Sequence, residues 1–168
     1  CFGSISEIEK TRKEMSDDNL LSLLELRIRG LEKLRNDLGD KNISYSNCNG
    51  YELFFDNNGL EKRIYEINEL LNPLMDENCF SMSNKDIERF DFAKEIVVGL
   101  AKNKYEGSIN PGKMIFSLKK KLGSLGVDCY FSTEVESFEE TSKKIFLKLK
   151  SRNQSINITT NKLAICTN

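Results

Sequence analysis

The stretch EGSINPGKMIFSLKKKLGSLGVDCYFSTEVESF, Glu106 to Phe138, is the most organised part of the chain. It reads as the end of a strand, a helix with both ends marked, and at least one further strand. Asn110 is a good N-cap, and Pro111 suits the first helical position, where its missing N–H costs nothing. Ile115, Leu118, Leu122 and Leu125 form an apolar stripe, and Gly126 supplies the stop. Residues 127–131 are apolar enough for a strand covered on both faces. A helix delivered so directly into a strand belongs to an open, layered sheet, yet no glycine-rich phosphate loop precedes it.

Downstream, residues 133–138, 145–149 and 156–160 alternate with period two between short polar turns, which predicts a three-stranded meander. Residues 163–166 read as a further buried strand. Upstream, the chain reads helical with small strands inserted. Ser4 and Glu7 form a capping box, and Ser16 followed by Asp17 and Asp18 opens a second helix with carboxylates at its positive end. Leu20, Leu24, Leu31, Leu34 and Leu38 keep that helix amphipathic until Gly39. Residues 43–46 and 51–55 flank the turn residues Asn47 to Gly50 and predict a strand pair. Leu60 to Leu74 predicts a helix, Ser83 with Asp86 a short capped turn, and residues 95–100 and 105–109 two more strands. The period changes from 3.6 to 2 near Asn110. Two lobes follow from that change: 1–109, helical with a small antiparallel sheet, and 110–168, a helix, two parallel-sheet strands and the meander. The fold class expected is α+β, forming part of a larger α/β fold.

Composition excludes several functions. The 168 residues carry a net charge of −1, so the chain has no overall electrostatic footprint for nucleic acid. The run Lys119 to Lys121 reads as a solvated helix face. No histidine is present, and the five cysteines include no C-x-x-C pair, which argues against zinc and removes the base of any Ser-His or Cys-His nucleophile. Scattered, odd-numbered thiols point to a reducing cytoplasm. No apolar run approaches the roughly 20 residues needed to cross a bilayer. The chain opens on Cys1-Phe2-Gly3 instead of Met, which suggests trimming, or excision from inside a longer polypeptide.

The order "EGSINPGKMIFSLKKKLGSLGVDCYFSTEVESF … LAICTN" resembles the middle of the FAD-dependent oxidoreductases of the D-amino-acid oxidase and glycine oxidase family. That family carries an Asp/Asn-Pro-Gly helix start, a G-V strand, a T-x-V strand, a meander and a closing strand ending near A-T-G or A-T-N. "CFGSISE" is similar to the segment after the flavin-contacting R-N-A-G-F-A stretch of one bacterial branch, and "GYELFF" to its G-G-Y-E-L-F strand. The dinucleotide fingerprint of such proteins lies in the first strand–helix turn, upstream of the residues matched here. The chain therefore resembles an internal piece, and the N- and C-terminal parts of the same polypeptide would be its partners.

The resemblance implies one bound FAD, a small-molecule amine or amino-acid substrate, and oxidation of a C–N bond by hydride transfer to the flavin. It implies that the backbone of Val135 meets the adenine edge and that Thr167 and Asn168 pass near the ribose-pyrophosphate. It places Phe2 and Gly3 close to flavin and substrate. A strand valine, a core phenylalanine and a turn glycine would look the same in sequence. No residue matches a catalytic side chain of the family, so none is assigned. The alternative is a non-enzymatic α+β interaction module whose Leu20–Leu38 helix packs on a partner.

Overall fold

The computed structural model describes residues 3–56, 58–152 and 154–167, which divide into two compact units, 1–121 and 122–168. Of the residues singled out above, Phe2 and Asn168 lie outside the described ones.

In the first unit, α1 (Ile5–Arg12) starts where the capping box expects it, with the Glu7 N–H donating to Ser4 Oγ at 3.3 Å. Next, α2 (Asp17–Leu38) is capped by Ser16 and ends at Gly39, whose φ of +81° is open to glycine at little cost. Gly39 turns the chain into the short α3 (Asp40–Ile43), and a two-pronged Arg35–Asp40 pair at 2.8 Å braces the corner. Strand β1 (Gly50–Phe54), helix α4 (Leu60–Leu71), strand β2 (Phe80–Met82), helix α5 (Lys85–Arg89) and strand β3 (Gly99–Asn103) follow. The sheet order is β1-β3-β2, antiparallel throughout.

Pleat alternation gives this sheet two different faces. Phe54, Phe80, Met82 and Ala101 look toward α1, α2 and α4, where Ile5, Ile8, Leu20, Leu24, Leu60, Ile67 and Leu71 complete the main core. Tyr51, Leu53 and Leu100 look the other way and meet Ile87 and Val97. Buried Asn68 fastens β2 to α4: its Nδ2 donates to the Phe80 carbonyl and its Oδ1 accepts from the Phe80 N–H, both at 2.9 Å. Cys79 lies beside this joint, and burial pushes its thiol pKa up to about 11.

Several expected pairings are corrected. Residues 43–46 do not pair with β1; Ile43 closes α3, and Ser46 forms an isolated bridge with Ser108. Asp40 to Ile43 close a helical turn on Gly39, which removes those residues from any ladder. Of residues 105–109, only Ser108 joins a ladder, through that bridge. The strand expected at 95–100 is displaced to Gly99–Asn103, because the chain turns at 93–97 through Ala93 carbonyl bonds before it can extend.

Helix α6 (Pro111–Ser124) has the cap expected, with the Lys113 N–H donating to Asn110 Oδ1 at 3.0 Å. Its apolar stripe is not buried, and Ile115 is 52% exposed. The face turned toward α2 and α3 is instead polar: Lys113 Nζ reaches Ser44 Oγ, Ser117 Oγ donates to the Asn42 carbonyl, and Lys121 pairs with Asp37 at 2.8 Å.

In the second unit, β4 (Thr133–Glu140), β5 (Ile145–Ser151) and β6 (Gln154–Thr160) form the expected antiparallel meander. β5 is central and buries Leu147 and Leu149. Residues 127–131 and 163–166 have strand composition but no ladder among the described residues. A parallel strand exists only when a neighbour takes its N–H and C=O groups, and the meander uses its own inner edges instead. Tyr130, Phe131 and Ile165 are accordingly exposed. The α+β class stands, as two small antiparallel sheets with helices.

Candidate functional site

The first unit holds a cavity of about 370 Å³ with both polar and apolar lining. It opens where the start of α1 meets the end of the β1-β3-β2 sheet, and Gly3, Ser4, Glu7, Glu52, Asn103 and Glu106 contribute to its wall. Gly3 enters at φ +112°, and a Cβ there would come within 2.9 Å of Glu7 Oε2. Gly50 is required by space: an added Cβ would sit 2.8 Å from the Glu106 side chain. Ala101, opposite Glu52 in the β1–β3 pairing, also lines it.

Strand pairing fixes the polar groups. Glu52 faces Ala101, and Gly50 faces Asn103, so Glu52 and Asn103 lie diagonally on one sheet face. Ser6, in the first turn of α1, donates its N–H to the Glu52 carboxylate at 3.3 and 3.4 Å, which holds the carboxylate at a helix N-terminus. Asn103 is 4% exposed; its Oδ1 accepts from the Tyr105 N–H at 3.0 Å, which leaves Nδ2 as the end without a protein partner. The nearby cations are engaged. Arg27 pairs with Glu7 at 2.9 Å, and Arg63 grips Glu9 at 2.6 and 2.7 Å; that double hydrogen bond raises the Arg63 pKa further above its ordinary value.

Of the residues expected from sequence, Gly3 lines this cavity. Val135 belongs to the second unit, 51% exposed on β4, paired with Leu149 just before a bulge that leaves Glu136 extra. Thr167 is exposed and lies outside any helix or strand. Sequence reading missed Glu52 and Asn103, because a diagonal pair on strands 50 residues apart has no linear spacing. The available signal was Gly50, which reads as a turn residue in the sequence but opens β1 in the structure, where a glycine can mark a close approach. Among the described residues no cluster of His, Cys, Asp and Glu is arranged to hold a metal ion, and no helix is long and apolar enough to cross a membrane.

The helix-backed antiparallel sheet of the first unit and the meander of the second share their fold with parts of two solved structures. An L-proline dehydrogenase from P. horikoshii superposes with a TM-score of 0.60 at 16% identity, over 77% of this chain and 35% of that one. A glycine oxidase from Geobacillus kaustophilus superposes with a TM-score of 0.53 at 17% identity, over 74% of this chain and 34% of that one. The chain thus spans about a third of the length of these proteins. No family model and no curated protein matches it by sequence.

Proposed function

We propose that the chain is a segment of a longer FAD-dependent oxidoreductase that oxidises the C–N bond of an amino acid or amine. The observation that carries this reading is the shared fold with an amino-acid dehydrogenase and an amino-acid oxidase over three quarters of the chain. In this reading residues 1–109 form the substrate-side lobe and residues 110–168 part of the FAD-binding domain.

The second unit has features that suit a dinucleotide. β4 is an edge strand, so one row of its backbone N–H and C=O groups faces away from β5. Val135 on that strand offers such groups to an adenine edge, and a bulge beside it is a common device for re-aiming a strand next to a site. Thr167, together with Asn168, which lies outside the described residues, would flank the ribose-pyrophosphate. On the substrate side, Gly3 and Phe2 would border flavin and substrate. When bound, the flavin supplies a hydride acceptor for the carbon that carries the nitrogen. This chain's residues orient the substrate and exclude water from it, and none is assigned a proton-transfer role.

The amphipathic stripe of α2 bears on the alternative of an interaction helix. Leu20 and Leu24 are spent on the chain's own core, with Leu21 and Ile28 packed against it. That leaves no continuous seam for a partner helix.

The test is anaerobic mixing of the longer flavin-loaded protein with a panel of primary amines, secondary amines and amino acids. Bleaching of the oxidised flavin band by at least one nitrogen compound, and by none of the matching alcohols, supports the proposal. Reduction by the alcohols alone would overturn it.

A further inference from the structure

Helix α6 is fastened firmly at one end and lightly along its length. Before it starts, the Ser46 and Ser108 N–H groups donate to each other's carbonyls at 3.0 and 2.9 Å, and the Asn110 N–H donates to the Ile43 carbonyl at 2.8 Å. Gly107 keeps that crossing tight, since a Cβ there would meet the Ser46 carbonyl oxygen at 2.7 Å. Asn110 then caps the helix, so the fastened segment and the helix start are continuous.

Beyond this pivot the seam changes character. No residue of α6 is buried; Met114 and Leu118 are half-buried, and Ile115 and Phe116 are exposed. Apolar burial, the usual tie between a helix and its neighbours, is therefore slight. The seam includes Lys113 against Ser44 at 2.7 Å, and Ser117 donating to the Asn42 carbonyl at 3.3 Å. Farther along, Lys121 Nζ reaches the Asp37 carboxylate at 2.8 Å and the Asp37 carbonyl at 3.3 Å. Lys121 thus places a cation on the last turn of α2, where the helix dipole favours one. Both side chains of this pair are more than a third exposed, which opens it to screening by salt. Asp37 also pairs with Lys33 at 3.0 Å, so it stays compensated whether or not Lys121 is docked.

We propose that α6 is a latched arm. It turns about the pivot at residues 108–110, and the Lys121–Asp37 pair holds its Lys121 end against α2 at low ionic strength. Release exposes little apolar surface and leaves Asp37 paired with Lys33, so the docked and released states are close in free energy. Pro111 to Lys121 measures about 15 Å along the helix axis, and a turn of about 20° moves the Lys121 end by about 5 Å. The proposal stands apart from the oxidoreductase reading.

The experiment measures, by pulsed electron spin resonance on the 168-residue chain, the distance between spin labels at Asn36→Cys in α2 and Lys120→Cys in α6. Cys1, Cys48, Cys129 and Cys166 are replaced by serine; Cys79, buried and with its thiol pKa pushed up to about 11, stays unlabelled. One distance should dominate at low salt. Asp37→Asn should raise the population at a distance longer by about 5 Å roughly threefold, with helix content by circular dichroism unchanged. The unaltered Asp37 chain in about 1 M KCl, where screening acts beyond about 3 Å, should respond in the same way. A single distance that salt does not move would overturn the proposal. Lengthening accompanied by loss of helix would also overturn it, because that is fraying and not a swing. The salt series decides the matter if Asp37→Asn fails to fold.

Discussion

Gly107 illustrates how little room single residues have around the sheet end. A Cβ there would stand 2.7 Å from the Ser46 carbonyl oxygen and 2.9 Å from the Tyr45 ring, at the bridge whose Ser46 and Ser108 bonds measure 3.0 and 2.9 Å. The neighbour is backbone and cannot rotate aside, so Gly107→Ala should destabilise the chain by about 1–3 kcal/mol in urea unfolding. Gly30, exposed in the middle of α2 with nothing within 4 Å of an added Cβ, should behave oppositely. Gly30→Ala removes a flexible residue from a helix interior and should stabilise by up to about 1 kcal/mol. Equal effects would mean that helix propensity, and not space, governs both sites. A third residue sets a pH response. The Ser83 hydroxyl donates to buried Asp86 at 2.5 Å and, with Arg89 nearby, holds its pKa below the ordinary carboxylate value. A carboxylate depressed on folding stabilises above its unfolded pKa of about 3.9 and loses that contribution as pH falls through the lower folded value. The stability difference between the natural chain and Ser83→Ala should therefore be full at pH 5–7 and shrink as the solution is acidified below about pH 4. A gap that stays constant to low pH would remove Asp86 from the account.

At the scale of elements, the caps carry a testable share of stability. Asn110→Ala removes the acceptor for the Lys113 N–H and should cost about 1 kcal/mol, read as a lower unfolding midpoint. No change would mean that Pro111 alone sets the start of α6. Helix starts were legible in the sequence because a cap is local: Ser4, Ser16 and Asn110 each act within three residues of themselves. The meander was legible for the same reason, since β4, β5 and β6 pair with their neighbours in sequence. The first sheet was not. β1 pairs with β3 across some 50 residues, and β2 is three residues long, too short for period two to emerge. Burial was overread in α6 and in residues 127–131, where apolar spacing shows which face could be covered but not whether anything covers it. The cavity escaped for a related reason. Its wall draws on positions from Gly3 to Glu106, and only strand register brings Glu52 and Asn103 onto one face.

For the whole molecule, the shared fold and the missing phosphate loop lead to a consequence for the chain itself. The pyrophosphate of a dinucleotide is held by N–H groups at a helix N-terminus after a glycine-rich turn, and no such turn occurs in these 168 residues. What remains is an edge strand at Val135 and the exposed segment at Thr167. Two or three hydrogen bonds netting about 1 kcal/mol each do not exceed the ordering cost of association. Titrating FAD into the 168-residue chain should show no saturable fluorescence quenching at micromolar concentrations, and stoichiometric binding would relocate the cofactor site. Under the oxidoreductase reading proposed above, the longer protein should behave differently, holding one FAD without a covalent bond. Acid precipitation of that purified protein tests the central claim most directly. Yellow flavin released into the supernatant at about one FAD per polypeptide is the predicted result, and a colourless supernatant over a colourless pellet would contradict it.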